Sequence, residues 1–437
     1  MARIAFLSEN LTGCINPTFA LARKLTERGH RISYLVRPDL EDRVRAQGFE
    51  SAPFLEAIYP KGSFDQERKE EAEGGGFLRR VAANAKRRNK LLLEGEVARM
   101  SASFKPELFI VDAALAQHGM AAWATGVPTV MFYHQLPSFR HPTLPPLNTT
   151  RVPARTRMER LANRAAWTKR FAIRRVLSLV YNPWKELRAL ARAFKFPQEK
   201  IDFRGEFWPR LELPEIVFCP KEFEFPEVPD RPDLHYLEPS VDFERQDPPF
   251  PWERLDPDKP LIFLSLGTLG VYILAQESRR MLQLLMDALA LHPEWQGVIS
   301  IGEQTTEDRF KVPKNVVVCQ NLPQLAILKR CVLSVNHGGL NTIKESVMHK
   351  LPMVILPLFN DQPGNAARVE FHKLGVRANP FDRRLTPEKL AGLMVEALTN
   401  PTYKANVERF SRLFYEREKD GKSVELIEQM LARAGQP

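Results

Sequence analysis

VNHGGLNTIKESVMHKLPMVILPLFNDQPGNAARVEFHKLGV, residues 335–376, reads as strand, glycine-rich turn, helix, strand, turn and helix. His337, Gly338 and Gly339 stand where a strand-forming run gives way to a helix-forming one, and Asn341 and Thr342 fall in the first helical turn. The first N–H groups of a helix have no intrahelical acceptor, and the helix dipole makes that end positive, so the pattern suits a bound phosphate. Glu345 lies four residues after Asn341, on the same helical face. A carboxylate is out of place against a phosphate there but suits the hydroxyls of a ribose. Strand–helix units of this kind build parallel α/β sheets.

The same rhythm extends outward. In this half of the chain, strands are expected at Leu261–Leu266, Val298–Gly302, Val316–Gln320, Val332–Val335 and Met353–Pro357. In the first half they are expected at Arg3–Ser8, Arg31–Val36, Leu108–Ala113 and Thr129–His134. Nearly continuous apolar strands separated by helices predict parallel sheets covered on both faces. Between the two series lies PDRPDLHYLEPSVDFERQDPPFPWERLDPDKP, residues 229–260, with the proline content of a connector. A chain of 437 residues has room for two domains. The expected division is a Rossmann-like domain over 1–235, a linker over 236–260 and a second Rossmann-like domain over 261–437, whose last helix is a candidate to pack back on the first. The fold class is therefore α/β, two doubly wound domains facing a cleft, with ligands at the carboxyl ends of the strands. The first helix is expected to be capped by Asn16, to carry Pro17 at its first position and to end at Gly29.

Composition narrows the function. Apolar residues make up 44% of the chain, yet no run reaches the roughly 18–20 residues of a membrane span. MARIAFLSENLTG reads as a first strand and not as a signal peptide. Cys14, Cys219, Cys319 and Cys331 are scattered, which points to free thiols, a reducing compartment and no structural metal. The loop SENLTGCI carries the single Gly13 where a nicotinamide-binding loop would carry three glycines. The net charge of +10 is concentrated: residues 151–195 hold thirteen Lys or Arg against Glu159 and Glu186. A general nucleic-acid binder would interleave its charge with aromatics over a recognisable module, and none is present. Arg, Leu, Trp and Phe in this segment recur at helical spacing. One reading is a solvated helix face beside a ligand pocket; the other is a peripheral membrane contact.

The donor-like segment resembles the family 1 nucleotide-sugar glycosyltransferases, which have the GT-B fold. Their signature H-x-G-x-N-[ST]-x-x-E is met by His337, Gly339, Asn341, Thr342 and Glu345, and P-x-x-x-D-Q by Pro357, Asp361 and Gln362. Leu351 replaces a glycine before Pro352. Upstream, NLPQL at 321–325 carries Pro323 and Gln324, with Asn321 where the family often has a tryptophan, and LSLGT at 264–268 is similar to the family's S-F-G-S turn. The resemblance implies that Gln324 reads uracil through its backbone. His337, Asn341 and Thr342, with Ser265 or Thr268, would hold the diphosphate, and Gly267, Gly339 and Asn321 belong to the same donor site. Glu345 takes the ribose, and Asp361 and Gln362 take the sugar. It implies a metal-independent, inverting UDP-sugar transferase, glucose being the expected sugar, with no cofactor beyond the donor. The acceptor would be a small or lipid-like molecule. The alternative is a relative that binds a nucleotide sugar without transferring it, or an epimerase or hydrolase. A cytoplasmic location follows, with membrane association through residues 151–195 left open.

The family places a catalytic histidine in a G-H-x-x-P step after the first strand, oriented by an aspartate after a later one. Here the step reads Gly13-Cys14-Ile15-Asn16-Pro17, while Asp112 ends a buried strand in LFIVDA. Without that histidine, Asp112 acts as the base itself, or His118 or His134, both near strand ends, substitutes. Cys14 at a helix N-terminus is a further candidate, though a poor proton shuttle. The loop PSFRHPTLPPL, residues 137–147, is expected to line the acceptor pocket.

Overall fold

The computed structural model of the chain describes residues 1–63, 77–179, 182–267, 275–302 and 305–434. Strands and helices alternate through β1 (Arg3–Leu7), α1 (Thr12–Glu27), β2 (Arg31–Val36), α2 (Pro38–Ala46), β3 (Glu50–Pro53), α3 (Phe77–Leu93), α4 (Glu96–Phe104), β4 (Leu108–Asp112), α5 (Ala116–Trp123) and β5 (Thr129–Tyr133). There follow α6 (Arg157–Leu177), α7 (Pro183–Ala193), an antiparallel pair β6 (Ile201–Asp202) and β7 (Arg210–Leu211), then β8 (Glu215–Val217) and β9 (Leu234–Tyr236). The first sheet runs β3-β2-β1-β4-β5-β8-β9 and is parallel throughout.

The second half repeats the plan with β10 (Leu261–Ser265), α8 (Ala275–Ala290), β11 (Gln296–Ser300), β12 (Val316–Cys319), α9 (Gln324–Leu328), β13 (Cys331–Asn336), α10 (Leu340–Met348), β14 (Met353–Ile355), α11 (Gln362–Phe371) and β15 (Gly375–Arg377). Its sheet, β12-β11-β10-β13-β14-β15, is also all parallel. The chain closes with α12 (Pro387–Thr399), α13 (Pro401–Asp420) and α14 (Lys422–Ala434). Strand order reverses between β1 and β4 in one sheet and between β10 and β13 in the other. In doubly wound sheets such switch points open the crevice that takes ligands.

Two cores tie these parts together. Ile4, Phe6, Leu108, Ile110, Val130 and Phe132 of the first sheet pack under Ile15 and Phe19 of α1, and Val424 and Ile427 of α14 join them. The last helix thus completes the core of the first domain. A second cluster joins Leu147 and Val217 to Leu340, Ile343 and Val347 of α10 and Val369 of α11. Helix α10 is buried nearly all round, so its charges need partners: Lys344 donates to the Phe218 carbonyl (2.7 Å), and burial pulls its pKa down to about 8.

The sequence reading differs from the structure in places. Helix α1 begins at Thr12, capped by Leu11 without a side-chain bond, and Pro17 lies inside it. Asn16 is no cap; its Oδ1 accepts from Arg43 (2.9 Å). Five helical residues thus precede the proline, made possible because its missing N–H is compensated elsewhere, as described below. The strand expected at Val298–Gly302 lies two residues earlier, and β3, β8, β9 and β15 are too short to stand out as apolar runs. β9 falls within the stretch read as a connector, where pairing with β8 overrides its polar composition.

Across the two domains Arg368 of α11 donates to Glu224 (2.7 Å), both side chains being almost fully buried, and Arg368 also stacks on Phe225. Removing one member leaves a buried charge unpaired, which costs about 3–5 kcal/mol. Glu224→Ala should therefore lower the calorimetric unfolding midpoint by many degrees. Glu428→Ala, which breaks the exposed pair with Arg28, should leave it nearly unchanged. Equal shifts for the two would show that the Glu224 pair does not hold the domains.

Candidate active site

The first half of the site follows from strand register. Asp112, the last residue of β4, pairs with Phe132 of β5. Side chains alternate along a strand, so His134, two residues further, points to the same face. That face is the one covered by α1, whose first turn carries Cys14. The three side chains meet there. His134 Nδ1 lies 3.1 Å from each carboxylate oxygen of Asp112, and the donor atoms of Cys14, Asp112 and His134 lie within 4.8 Å of one another. Asp112 is completely buried and is held further by the Ala114 N–H (3.0 Å) and the Glu9 N–H (3.4 Å).

These contacts set the protonation of the group. Burial opposes the charged imidazole of His134, but the Asp112 carboxylate and Cys14 outweigh it and hold its pKa well above the usual histidine value. Burial pushes the Cys14 thiol up to about 11, despite His134 beside it, so it is a thiol and not a thiolate near neutrality. His118 stands apart in α5, buried and packed on the Phe54 ring (5.4 Å). Burial and the charge of Arg88 hold its pKa well below the ordinary value.

The second half lies at the carboxyl ends of β10 and β13. Ser265 Oγ accepts from the Gly267 N–H (3.2 Å), turning the chain at a positive φ of 72°. A side chain at Gly267 or at Gly339 would come within 2.5 Å of the His337 ring. The imidazole therefore occupies the space the two glycines leave. Burial lowers its pKa to about 4, against a hydrogen bond with the Ser265 backbone, so His337 is neutral at physiological pH. Its Nδ1 is buried without a protein partner. Asn365 Nδ2 donates to the Gly338 carbonyl (2.9 Å) and to Asp361 Oδ2 (2.7 Å), tying the glycine turn to the N-cap of α11. Thr268 lies outside the described residues.

One hydrogen bond joins the halves. Pro17 has no N–H, so the Gly13 carbonyl, four residues before it, lacks its helical donor. Asn341 Nδ2, from the first turn of α10, donates to that carbonyl at 2.6 Å. The residue next to Gly13 is Cys14, so the donor-side helix is anchored beside the His134–Asp112 pair. Asp361 also faces that pair: burial raises its pKa, and His134 is among the charges that pull it back.

The remaining residues are placed as follows. Gln324 opens α9 and its Nε2 donates to Glu345 Oε2 (2.6 Å) and Thr342 Oγ1 (3.3 Å). Glu345 Oε1 accepts from Arg245 (3.2 Å), which also binds Asp247 (3.1 Å). Arg245 comes from the stretch read as a connector, and only its charge among prolines could have marked it. Asn321 is exposed just before α9. Gln362 Oε1 accepts from the Leu358 N–H (2.8 Å) and the Phe359 N–H (3.2 Å), which leaves its NH₂ end to donate.

Beside His134 a concavity is lined by Tyr133, Leu136, Phe139, Glu206, Phe207 and Trp208, with the Trp208 ring 5.8 Å from the imidazole. Buried Glu206 accepts from Ser138 Oγ (2.6 Å), the Leu147 N–H (2.6 Å) and the Asn148 N–H (3.0 Å), which fixes the loop 137–147. The sequence marked that loop but missed Glu206, Phe207 and Trp208, whose segment carries no motif.

Gly339 has φ −64°, open to any residue, so Gly339→Ala acts through space alone. It should displace the His337 ring and weaken nucleoside diphosphate binding about ten- to hundredfold by calorimetry, with the circular dichroism spectrum preserved. Unchanged affinity would show that the ring position does not matter to the ligand.

A family model described as UDP-glucoronosyl and UDP-glucosyl transferase matches residues 257–425, which contain the turn, α10 and α11. The NDP-glycosyltransferase YjiC of Bacillus subtilis (strain 168) is 24% identical over 373 residues, covering 83% of this chain and 81% of that protein. A zeaxanthin glucosyltransferase of Pantoea ananas is 24% identical over 441 residues, 95% of this chain and 93% of that one. Among solved structures, the calicheamicin glycosyltransferase CalG4 superposes with a TM-score of 0.69 at 20% identity over the full length of both chains. Two parallel-sheet domains of this topology give the chain the GT-B fold, and the family match over residues 257–425 makes its second domain similar to those of the family 1 glycosyltransferases.

Proposed function

We propose that this glycosyltransferase moves glucose from UDP-glucose to a hydroxyl of an apolar, small or lipid-like acceptor with inversion, and that His134 is the general base. The observation that carries the reading is the hydrogen bond of His134 Nδ1 to both oxygens of Asp112, with the Trp208 ring, which lines an aromatic concavity, 5.8 Å from the imidazole. Nδ1 is committed to Asp112, so Nε2 is the nitrogen left for an acceptor proton. Asp112 is wholly enclosed and acts by positioning the ring.

In the proposed reaction the acceptor oxygen attacks the anomeric carbon as its proton passes to His134 Nε2. The bond from that carbon to the diphosphate breaks on the opposite face, and the UDP departs with the electron pair. The N-terminus of α10, Thr342, Asn341 and neutral His337 stabilise the departing charge, and the reading assigns no step to a metal. Asn341 Nδ2 has a second N–H that can bond a phosphate oxygen while the first keeps the Gly13 carbonyl, which couples donor binding to the first turn of α1 that holds Cys14. Glu345, kept in place by Arg245 and Gln324, retains lone pairs for a ribose diol, which favours UDP over a deoxyribose donor. Asp361 and the NH₂ end of Gln362 suit the hydroxyls of a neutral hexose. A carboxylated sugar would bring a second carboxylate against buried Asp361, which favours glucose over a uronic acid.

A base must be neutral to accept a proton. Because His134 has a raised pKa, transfer should increase with pH through a value above about 6.5, the ordinary histidine pKa. Asp112→Asn removes the charge that raises it, so the acid limb should move to lower pH while the plateau rate falls. His134→Ala should cut transfer by about 10²–10⁴ with UDP affinity unchanged, whereas Cys14→Ala and His118→Ala should retain most activity. Rate–pH profiles with a hydroxyl acceptor check this; full activity in His134→Ala would rule out its role as base.

A further inference from the structure

Helix α6 has two unlike faces, and the reaction proposed above uses only the inner one. On the inner face Trp167 Nε1 donates to the Leu144 carbonyl (2.8 Å) and Asn163 Nδ2 to the Thr143 carbonyl (3.0 Å). Arg174 donates to the Gly205 (2.9 Å) and Phe203 (3.0 Å) carbonyls, and Arg170 stacks over the Phe207 ring. These bonds hold both segments that frame the concavity beside His134.

The outer face is apolar and exposed. At 100° per residue, Met158, Leu161, Ala165, Ala172 and Val176 fall within a stripe about 60° wide, and all five face solvent. Met158 is 74%, Leu161 59% and Val176 64% exposed, values far from the burial such side chains normally reach. Ile173 borders the stripe and Leu179 follows the helix, also exposed. Along one flank, Arg157, Arg160, Arg164 and Arg175 form a parallel basic stripe, all exposed. The one acid of the helix, Glu159, is turned back on the Thr156 and Arg155 N–H groups and faces away from that flank. An apolar stripe beside a basic one marks a helix that lies in a membrane interface with its arginines among anionic headgroups. With 21 residues α6 is about 32 Å long, but no helix among the described residues is long and apolar enough to cross a membrane.

We propose that the outer face of α6 docks on an anionic bilayer surface and so brings the acceptor concavity to the headgroup layer. Charge selects this occupant over a second copy of the chain, since a symmetric pairing through α6 would bring two basic stripes together. A nucleic acid would meet the arginines but leave the apolar stripe without a partner. Docking itself does not depend on the reaction; delivery of a membrane-borne acceptor to His134 rests on the reading above.

The test is sedimentation of the intact protein with vesicles, which is read without turnover. Vesicles of phosphatidylglycerol and phosphatidylcholine should bind it, pure phosphatidylcholine vesicles should bind it far more weakly, and added salt should release it. Each arginine near the surface is worth about fivefold in partitioning, so Arg160→Gln with Arg164→Gln and Arg175→Gln should weaken binding about a hundredfold. Leu161→Asp with Val176→Asp should weaken it at least tenfold, with UDP affinity unchanged in both variants. Binding equal on neutral and anionic vesicles, or unaffected by either set, overturns the proposal. So does a concentration-dependent dimer, or duplex DNA binding, that the same substitutions abolish while vesicle binding is absent.

Discussion

A carboxylate buried at the end of a parallel strand has few ways to be tolerated, and the contacts of Asp112 supply them. It receives two backbone N–H groups and the imidazole of His134, with no surface left to water. An ionised group enclosed this way without partners would be costly, so the imidazole is held as firmly as the carboxylate. Side chains from several elements meet at that ring. Cys14 lies against it from α1, the Trp208 ring stands 5.8 Å away, and Asp361 approaches from the other domain. Cys14 thus stands in the turn where the resemblance led to the expectation of a histidine, while His134, just past β5, reaches Asp112.

The two domains communicate through α10. Its first turn binds the Gly13 carbonyl that Pro17 leaves unpaired, its middle is buried in a core shared by both domains, and Lys344 and Glu345 find partners outside their own sheet. The helix whose N-terminus the proposed reaction gives to the diphosphate is therefore also one that packs against both domains. A proline inside α1 sets the contact between that helix and the turn that carries Cys14.

Much of this was legible in the sequence. The strand–turn–helix of residues 335–348 was readable because each residue type has a local reason: glycines beside an imidazole, amide and hydroxyl at a helix start, a carboxylate one turn on. Most strands of both sheets were readable because they are buried on both faces and so are continuously apolar. The pairing of His134 with Asp112 was open in the sequence, since it depends on the register of β4 against β5, which two parallel strands joined through a helix do not declare. The start of α1 was misplaced because Pro17 is ordinarily a first-turn residue, and its tolerance five residues in depends on Asn341, more than three hundred residues away. Arg245, Glu206 and Trp208 lie in segments with no periodicity and were beyond reach for that reason. The basic character of α6 was visible, but its sorting into inner and outer faces required knowing which residues the acceptor loops cover.

In the proposed reaction His134 supplies the base and Asp112 holds it. Chemical rescue tests it most directly. His134→Gly leaves a space beside Asp112, and added imidazoles of graded pKa should restore transfer to a hydroxyl acceptor, with rates that rise with azole basicity. A variant that binds UDP normally, loses transfer and is not restored by any azole small enough to enter would contradict the account, as would a variant that never loses activity.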